Sequence, residues 1–117
     1  DQDMTPNMEM VYELYLRGLK FAPIDLYESR ATHFKVIEVD GEQRLLPPFC
    51  TLQGFGETAA RDLIRAREEV AKTNETEKFE TIEELQKLSG LGKKNIELLK
   101  QNGVLDGLRE TDQLTLF

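Results

Sequence analysis

The sequence predicts a mainly α-helical fold with one small β-hairpin, and three observations support this class. Apolar residues recur at helical spacing in several stretches separated by glycine-containing turns. A unit of glycine, apolar residue, glycine and amphipathic helix occurs twice. Two short segments of alternating character also flank Asp40-Gly41, a dipeptide that favours a tight β-turn. We therefore expect helices around a single β-hairpin.

The first helix is predicted to open at Thr5-Pro6, where the missing proline N–H is harmless, and to close at Gly18. Its apolar positions are Met8, Val11, Leu14 and Tyr15. An extended stretch, 20–26, should follow around Pro23. The β-hairpin comprises residues 34–39 and 42–46. After it, only residues 49–53 remain for the next helix, which we expect to be short or irregular.

The repeated unit is the strongest functional signal in the chain. Gly54-Phe55-Gly56 recurs as Gly90-Leu91-Gly92, an offset of 36 residues (90 − 54). This pattern is typical of a helix–hairpin–helix (HhH) unit, in which glycine permits positive φ and lets a phosphate approach bare backbone amides at a helix N-terminus. For a single copy, a glycine cap between packed helices is the favoured interpretation, because a lone short motif often occurs by chance. Two copies in register favour a tandem (HhH)2 domain.

The helices that follow the two turns are predicted from about Glu57 to Lys72 and from Lys93 to Gln101, where Asn102-Gly103 ends the chain's last helix. Between them, Thr81 and Glu84 form a capping box. Phe55 and Leu91 should face inward. Aligned positions Ala60 with Ile96 and Leu63 with Leu99 should be buried, whereas Asn95 in place of Ala59 suggests looser packing in the second copy.

Duplex DNA is the partner that this motif suggests, and contacts to phosphates carry no sequence information. The residues predicted to contact the DNA backbone are Gly54, Phe55, Gly56, Thr58 and Arg61 in the first copy and Gly90, Leu91, Gly92, Lys93 and Lys94 in the second. Glu57 and Thr58 stand where the second copy has its two lysines. The first copy should therefore bind DNA more weakly.

Composition limits the function further. The net charge of −7, with an acidic linker at residues 75–84, predicts weak and salt-sensitive DNA binding. The single cysteine, Cys50, excludes an internal disulfide, suits a reducing cytoplasm and is expected to be a small buried hydrophobe. No apolar run is long enough for a membrane span, and the chain reads as one domain cut from a longer protein.

Three segments are expected: 1–48 (helix, extended segment and β-hairpin), 49–108 (the tandem HhH module) and 109–117 (a flexible tail). After Leu108 the chain turns polar and should be mobile. Its last five residues are apolar again, and Leu114, Leu116 and Phe117 are suited to anchor in a partner's pocket as an extended peptide. The alternative is that this tail folds back on its own core.

No catalytic or metal site is predicted in this chain. Glu75, Glu77 and Glu80 form a charge run typical of a solvated loop, and no Cys/His spacing suggests zinc. His33 is a lone histidine beside a strand, for which no ligand role is needed.

Several segments resemble the C-terminal end of the PolC-type replicative DNA polymerase III α subunit. Gln113–Phe117 is similar to the Gln-Leu-x-Leu-Phe peptide by which bacterial proteins dock on the sliding clamp. The supporting segments are residues 18–27, Leu46-Pro47-Pro48-Phe49, Gly54-Phe55-Gly56 with Ala59-Ala60, and Ala66-Arg67-Glu68-Glu69. The resemblance covers nearly the whole chain. It implies that Gln113, Leu114, Leu116 and Phe117 bind the clamp.

The resemblance also implies a parent enzyme, a DNA-directed DNA polymerase that uses Mg²⁺ and has a proofreading 3′–5′ exonuclease elsewhere. This fragment would be non-catalytic and hold no cofactor. Its partners would be duplex DNA, the sliding clamp (the β subunit) and the remaining polymerase domains and replisome, with no membrane. Two alternatives remain: an HhH module of a DNA-repair or nuclease accessory protein, or a protein-interaction scaffold that has lost DNA binding.

Overall fold

A computed structural model describes residues 7–111, which contain four α-helices and a three-stranded sheet. The predicted class, mainly α with a small β-hairpin and tandem HhH units, is confirmed. The elements in chain order are α1 (Met8–Leu16), β1 (Lys20–Phe21), β2 (Lys35–Val39), β3 (Glu42–Leu46), a 3-10 turn (Phe49–Thr51), α2 (Glu57–Thr73), α3 (Ile82–Ser89) and α4 (Lys93–Gln101).

Helix α1 begins later than the sequence suggested. Asn7 is its N-cap, and the Asn7 side-chain oxygen accepts a hydrogen bond from the Met10 N–H at 2.8 Å. Asparagine is among the residues favoured as a side-chain cap at a helix start, and Thr5-Pro6 lie outside the described residues. The expected apolar face is also mostly open: Val11 is buried, whereas Met8 and Tyr15 are exposed.

The β-hairpin prediction is confirmed, but the sheet has a third strand that the sequence did not reveal. Strand β3 lies in the centre, antiparallel to β2 and parallel to β1. Asp40 and Gly41 both have positive φ, as expected for a tight turn between β2 and β3. Strand β1 is only two residues long, so alternation could not identify it. Hydrogen bonds to β3 are what define β1 as a strand.

The hydrophobic core lies between α2, α3 and α4 and the 3-10 turn. Leu63, Leu85 and Leu99 have no exposed surface, and Phe49 from the 3-10 turn is equally buried. Leu26, from the loop after β1, joins the same core. This packing fixes the directions of the helices that carry the two glycine turns.

One expectation about the polar segment after Leu108 is corrected. Residues after Leu108 were expected to be mobile, but the Ile82 and Glu83 N–H groups donate to the carbonyls of Arg109 and Glu110 at 2.8 and 3.0 Å. Residues 109–111 therefore lie against the start of α3. Mobility was inferred from polarity alone, which does not reveal backbone pairing. In the linker before α3, Glu75, Glu77 and Glu80 are exposed, as expected of a solvated charge run, while Phe79 is buried in the core.

Cys50 is exposed rather than buried, so its predicted role as a core hydrophobe is wrong. It follows Phe49 in the 3-10 turn, and Phe49 takes the inward position. Among residues 7–111, no helix is long and apolar enough to cross a membrane.

Candidate nucleic-acid interface

The first HhH turn (Gly54–Gly56) connects the short 3-10 turn to α2. Gly54 has φ of 90°, a conformation that side chains disfavour, and the Phe55 N–H donates to the Leu52 carbonyl at 3.0 Å. Phe55 is buried, with its ring centroid 6.4 Å from that of Phe49. The inward position predicted for Phe55 is confirmed. The first helix of this unit is only three residues long, as expected.

The second HhH turn (Gly90–Gly92) connects α3 to α4 with the same backbone path. Gly90 caps α3 in the left-handed conformation, φ 74°, and its N–H donates to the Gln86 carbonyl at 2.8 Å. The Gln86 side-chain amide donates to the Leu91 carbonyl, and the Leu91 N–H donates to the Ser89 hydroxyl, both at 3.2 Å. Leu91 is buried, as predicted. These bonds hold the second turn rigid.

The second glycine of each turn is not required by the fold of the chain itself. Gly56 and Gly92 have φ of −78° and −77°, values that any residue adopts. A Cβ added at either position would meet no atom within 4 Å. Each of these glycines is the N-cap of the following helix and is exposed to solvent. Absence of a side chain there leaves open space directly in front of a helix N-terminus.

The starts of α2 and α4 lack the side-chain caps found on the other two helices. In α1 and α3, Asn7 and Thr81 accept hydrogen bonds from backbone N–H groups. Neither Gly56 nor Gly92 has a side chain that can do so. The first N–H groups of α2 and α4 are thus exposed at the positive end of each helix dipole. This arrangement is suited to an anion.

Positions that match between the two units are buried alike. Ala60 and Ile96 are buried, and so are Leu63 and Leu99. Asn95 is half-buried, whereas the matching Ala59 is buried, which agrees with looser packing in the second copy.

The first HhH turn also lies close to the second unit. A Cβ at Gly54 would be 3.5 Å from the Leu98 side chain, which is on α4. The two units therefore form one packed body.

The electrostatic environments of the two turns are different. Arg61 donates from Nε and Nη2 to one Glu57 carboxylate oxygen at 2.9 and 2.6 Å. In the second unit, Lys93 and Lys94 are exposed, and no carboxylate among residues 7–111 forms an ion pair with either lysine. Thr58 is exposed beside Glu57. The second unit therefore has two unpaired positive charges beside its amides, whereas the first has an internally neutralised pair.

Two further basic residues are committed to contacts within the chain. Arg67 donates to the carbonyls of Leu26 and Ser29 at 3.2 and 2.7 Å, tying the loop after β1 to α2. Burial lowers the pKa of the Arg67 guanidinium, although nearby carboxylates, Glu28 first among them, oppose that change. Lys100 pairs with Glu110 at 2.8 Å. These residues lie on the predicted helices but act within the fold.

In residues 7–111 no group of three or more His, Cys, Asp or Glu side chains is placed to hold a metal ion. His33 Nδ1 lies 3.0 Å from the Thr32 hydroxyl, a local contact on the surface. The predicted clamp-binding residues Gln113, Leu114, Leu116 and Phe117 lie outside the described residues.

Comparison with known proteins gives consistent results. A family model described as a helix-hairpin-helix motif matches residues 18–114. Relatives named DNA polymerase III PolC-type are 39% identical over 115 residues in Streptococcus pneumoniae, 38% over 117 residues in Streptococcus agalactiae and 39% over 117 residues in Streptococcus thermophilus. The matches cover 98–100% of this chain and 7% of each relative. The resemblance to this polymerase family is confirmed, and its placement at the relatives' C-terminal end stays a prediction.

Proposed function

The chain belongs to the helix–hairpin–helix motif family, and from that premise we propose that it is a non-catalytic DNA-binding module of a replicative polymerase. The module would bind the phosphate backbone of duplex DNA without sequence specificity and tether the enzyme to the sliding clamp. Both activities would support processive DNA replication. The three predicted segments (1–48, 49–108 and 109–117) keep their roles in this proposal, except that residues 109–111 pack against α3.

The observation that carries the proposal is the pair of uncapped helix starts behind exposed glycines. Gly56 and Gly92 leave space that no atom of the chain would contact, so the chain itself gives no reason for glycine there. A phosphate oxygen that approaches this space receives hydrogen bonds from backbone N–H groups and favourable helix-dipole energy. Bases are not within reach of such contacts, which accounts for the lack of sequence specificity.

The charges near the second turn support the same proposal despite the net charge of −7. Fields of exposed charges are screened beyond about 8 Å at physiological salt, so nearby charges decide the potential at the start of α4. Lys93 and Lys94 contribute positive charge there, and Glu83, Glu97 and Glu110 line a cleft on one side of Lys93. Because few phosphates would be neutralised, affinity should be modest and should fall as salt concentration rises.

The parent protein would be a DNA-directed DNA polymerase. The relatives that match this chain are about fourteen times longer, since the match covers 7% of each. Polymerase chemistry, Mg²⁺ and a proofreading exonuclease would therefore belong to other parts of such a polypeptide. The enzyme would act in the cytoplasm on DNA, together with its remaining domains and the replisome.

The tail would supply the link to the clamp. Gln113, Leu114, Leu116 and Phe117 form a Gln-Leu-x-Leu-Phe peptide, in which alternate apolar side chains can enter one pocket. Each large apolar side chain contributes roughly 1.5–3 kcal/mol on burial, before the loss of chain entropy is subtracted. This predicts affinity in the micromolar range, which suits a tether that must be released.

Duplex binding is tested by fluorescence anisotropy with a short labelled duplex at several salt concentrations. We expect Lys93→Ala with Lys94→Ala to weaken binding and to reduce the salt slope by up to about 0.9 per lost phosphate contact. Lys20→Ala with Lys72→Ala is the matched control, since it removes the same charge from β1 and from the far end of α2. Equal losses in both variants would show that only net charge matters and would contradict the proposal.

Clamp binding is tested separately by surface plasmon resonance on an immobilised bacterial sliding clamp. Deletion of Leu116 and Phe117 should abolish binding by the 117-residue chain, and duplex binding should remain. A truncated chain with unchanged clamp affinity would remove the tether from the proposed function.

One alternative has an observation in its favour. The acidity of the chain suits a protein-interaction scaffold that has lost DNA binding. If the unmodified chain gives no duplex binding even at low salt while clamp binding persists, the scaffold function is correct. A DNA-repair or nuclease accessory module would bind duplex but would not require the clamp peptide.

A further inference from the structure

A concave surface beside α2 collects four arginines, of which only Arg61 is among the residues predicted from the sequence to contact DNA. Its volume is about 300 Å³. Ala31 and Ile64 give it an aliphatic part, and Glu68 is the one acidic residue in its lining. The basic residues of this arginine groove are Arg30, Arg61, Arg65 and Arg67.

The arginine groove lies next to both HhH turns. Arg61 contacts Glu57, which directly follows Gly56 in the first turn. One turn further along α2, Arg65 Nη2 lies 3.4 Å from the carbonyl oxygen of Ser89, which directly precedes Gly90. The Arg65 guanidinium therefore lies beside the end of α3, where the chain enters the second turn.

The two outer arginines are held by weak pairs that another anion can replace. Arg61 and Arg65 are each 61% exposed, and their partners are Glu57 and Asp62 at 2.6 and 2.7 Å. Exposed ion pairs contribute little to stability. A phosphate offers a guanidinium two parallel hydrogen bonds and a stronger charge. Arg67, in contrast, is fixed by two backbone carbonyls and serves as part of the wall.

We propose that the arginine groove is a second phosphate-binding site, in which Arg61 and Arg65 exchange Glu57 and Asp62 for a phosphate of the DNA backbone. The inference rests on the proposed function and extends it. The groove would continue the path of the strand bound at the second HhH turn. Glu57 and Asp62 then act as internal competitors that hold down the affinity of the module for DNA.

The test uses the 117-residue chain and the same labelled duplex over a range of salt concentrations. Arg65→Gln should weaken binding and reduce the salt slope by about 0.9, the value of one phosphate contact. Arg65→Lys should keep the slope and recover part of the affinity, because it retains the charge without the planar fork. Thermal unfolding checks that both variants fold.

The competitor role is tested by Glu57→Gln with Asp62→Asn. This variant should bind duplex up to about fivefold more tightly at low salt. That factor corresponds to the free energy of one exposed ion pair, which the arginines no longer give up when they bind a phosphate. Glu38→Gln with Glu75→Gln, on β2 and in the linker before α3, is the control for the loss of two negative charges from exposed positions. Titration with inorganic phosphate, followed by NMR of the arginine Nε–H signals, distinguishes free phosphate from a DNA strand as the occupant.

Three outcomes separate the inference from the proposed function. If Arg65→Gln binds duplex with unchanged affinity and slope while the Lys93/Lys94 variant is weakened, the groove is not a site and the proposed function stands. If Arg65→Gln is weakened and the lysine variant is not, the groove is a site and the second turn is not. Saturation by inorganic phosphate at low concentration, with no effect of Arg65→Gln on duplex binding, would overturn the DNA occupant.

Discussion

The first and second HhH turns can be compared position by position. Gly54 and Gly90 have φ of 90° and 74°, Phe55 and Leu91 are both buried, and α2 and α4 both begin at glycine N-caps without side-chain caps. The following residues differ: the first helix starts with Glu57, the second with Lys93. A shared backbone therefore presents opposite charges at equivalent positions.

The comparison separates what the fold needs from what a ligand would need. The inward residue and the first glycine are explained by packing and by positive φ within the chain. The second glycine of each turn and the lysine pair of the second turn are not explained by any contact among the described residues, whereas Glu57 in the first turn pairs with Arg61. Substitutions at the second glycine of a turn and at the lysine pair should therefore change DNA binding more than stability.

The largest expected effect is on stability, and it concerns the buried middle residue of each turn, Phe55 in the first and Leu91 in the second. Phe55→Ala should reduce the free energy of unfolding by about 3–5 kcal/mol, and Leu91→Ala by about 2–5 kcal/mol, because each leaves a cavity under its turn. Urea denaturation followed by circular dichroism measures both values. A loss well below 1 kcal/mol in either variant would show that the turn is not anchored to the core.

An exchange of the two helix starts has the next largest effect. Glu57→Lys with Thr58→Lys gives the first turn the charges of the second, and duplex affinity should rise on the order of tenfold at low salt, with a steeper salt slope. The reciprocal variant, Lys93→Glu with Lys94→Thr, should lower affinity by a similar factor. If the two exchanges leave affinity unchanged, the charge difference between the turns has no functional meaning.

The smallest effect contrasts a capped helix with the uncapped ones. Thr81→Ala removes the hydroxyl that accepts the Glu84 N–H at 3.0 Å at the start of α3. It should reduce stability by about 1 kcal/mol and leave duplex binding unchanged, because α3 offers no open amides in front of a glycine. A clear loss of duplex binding in a folded Thr81→Ala variant would show that the DNA contacts the start of α3, which the proposed function does not predict.

Much of the fold was predictable because its signals are local. Periodicity and glycine gave α4 with the bounds seen in the structure, Lys93–Gln101, and the capping box placed Thr81 at the N-cap of α3. The side chain of Glu84 reaches the Glu80 N–H at 2.8 Å, a variant of the expected box. Repeated spacing also predicted which residues, such as Leu63 and Leu99, would be buried.

What the sequence missed depends on contacts between distant segments. Strand β1 exists because Lys20 and Phe21 pair with Arg44 and Leu45, which no local pattern reveals. Arg109 and Glu110 are likewise held in place by backbone hydrogen bonds from the start of α3, which the sequence does not reveal.

The arginine groove brings Arg30 to the side of α2, more than thirty residues along the chain. The spacing of charged residues along α2 cannot predict that Arg30 lies beside that helix. The candidate amide sites at the two turns, in contrast, were predictable because each is built within one short motif.

The most direct test of the central claim is duplex binding by Gly92→Ser. Serine is a favoured N-cap, so stability should change by only a few tenths of a kcal/mol. Its hydroxyl would accept an N–H at the start of α4 and its Cβ would occupy the open space, so both should exclude a phosphate. We predict clearly weaker duplex binding by a chain that is as stable as the unmodified one. Unchanged affinity in this variant would contradict the claim that these amides receive the DNA backbone.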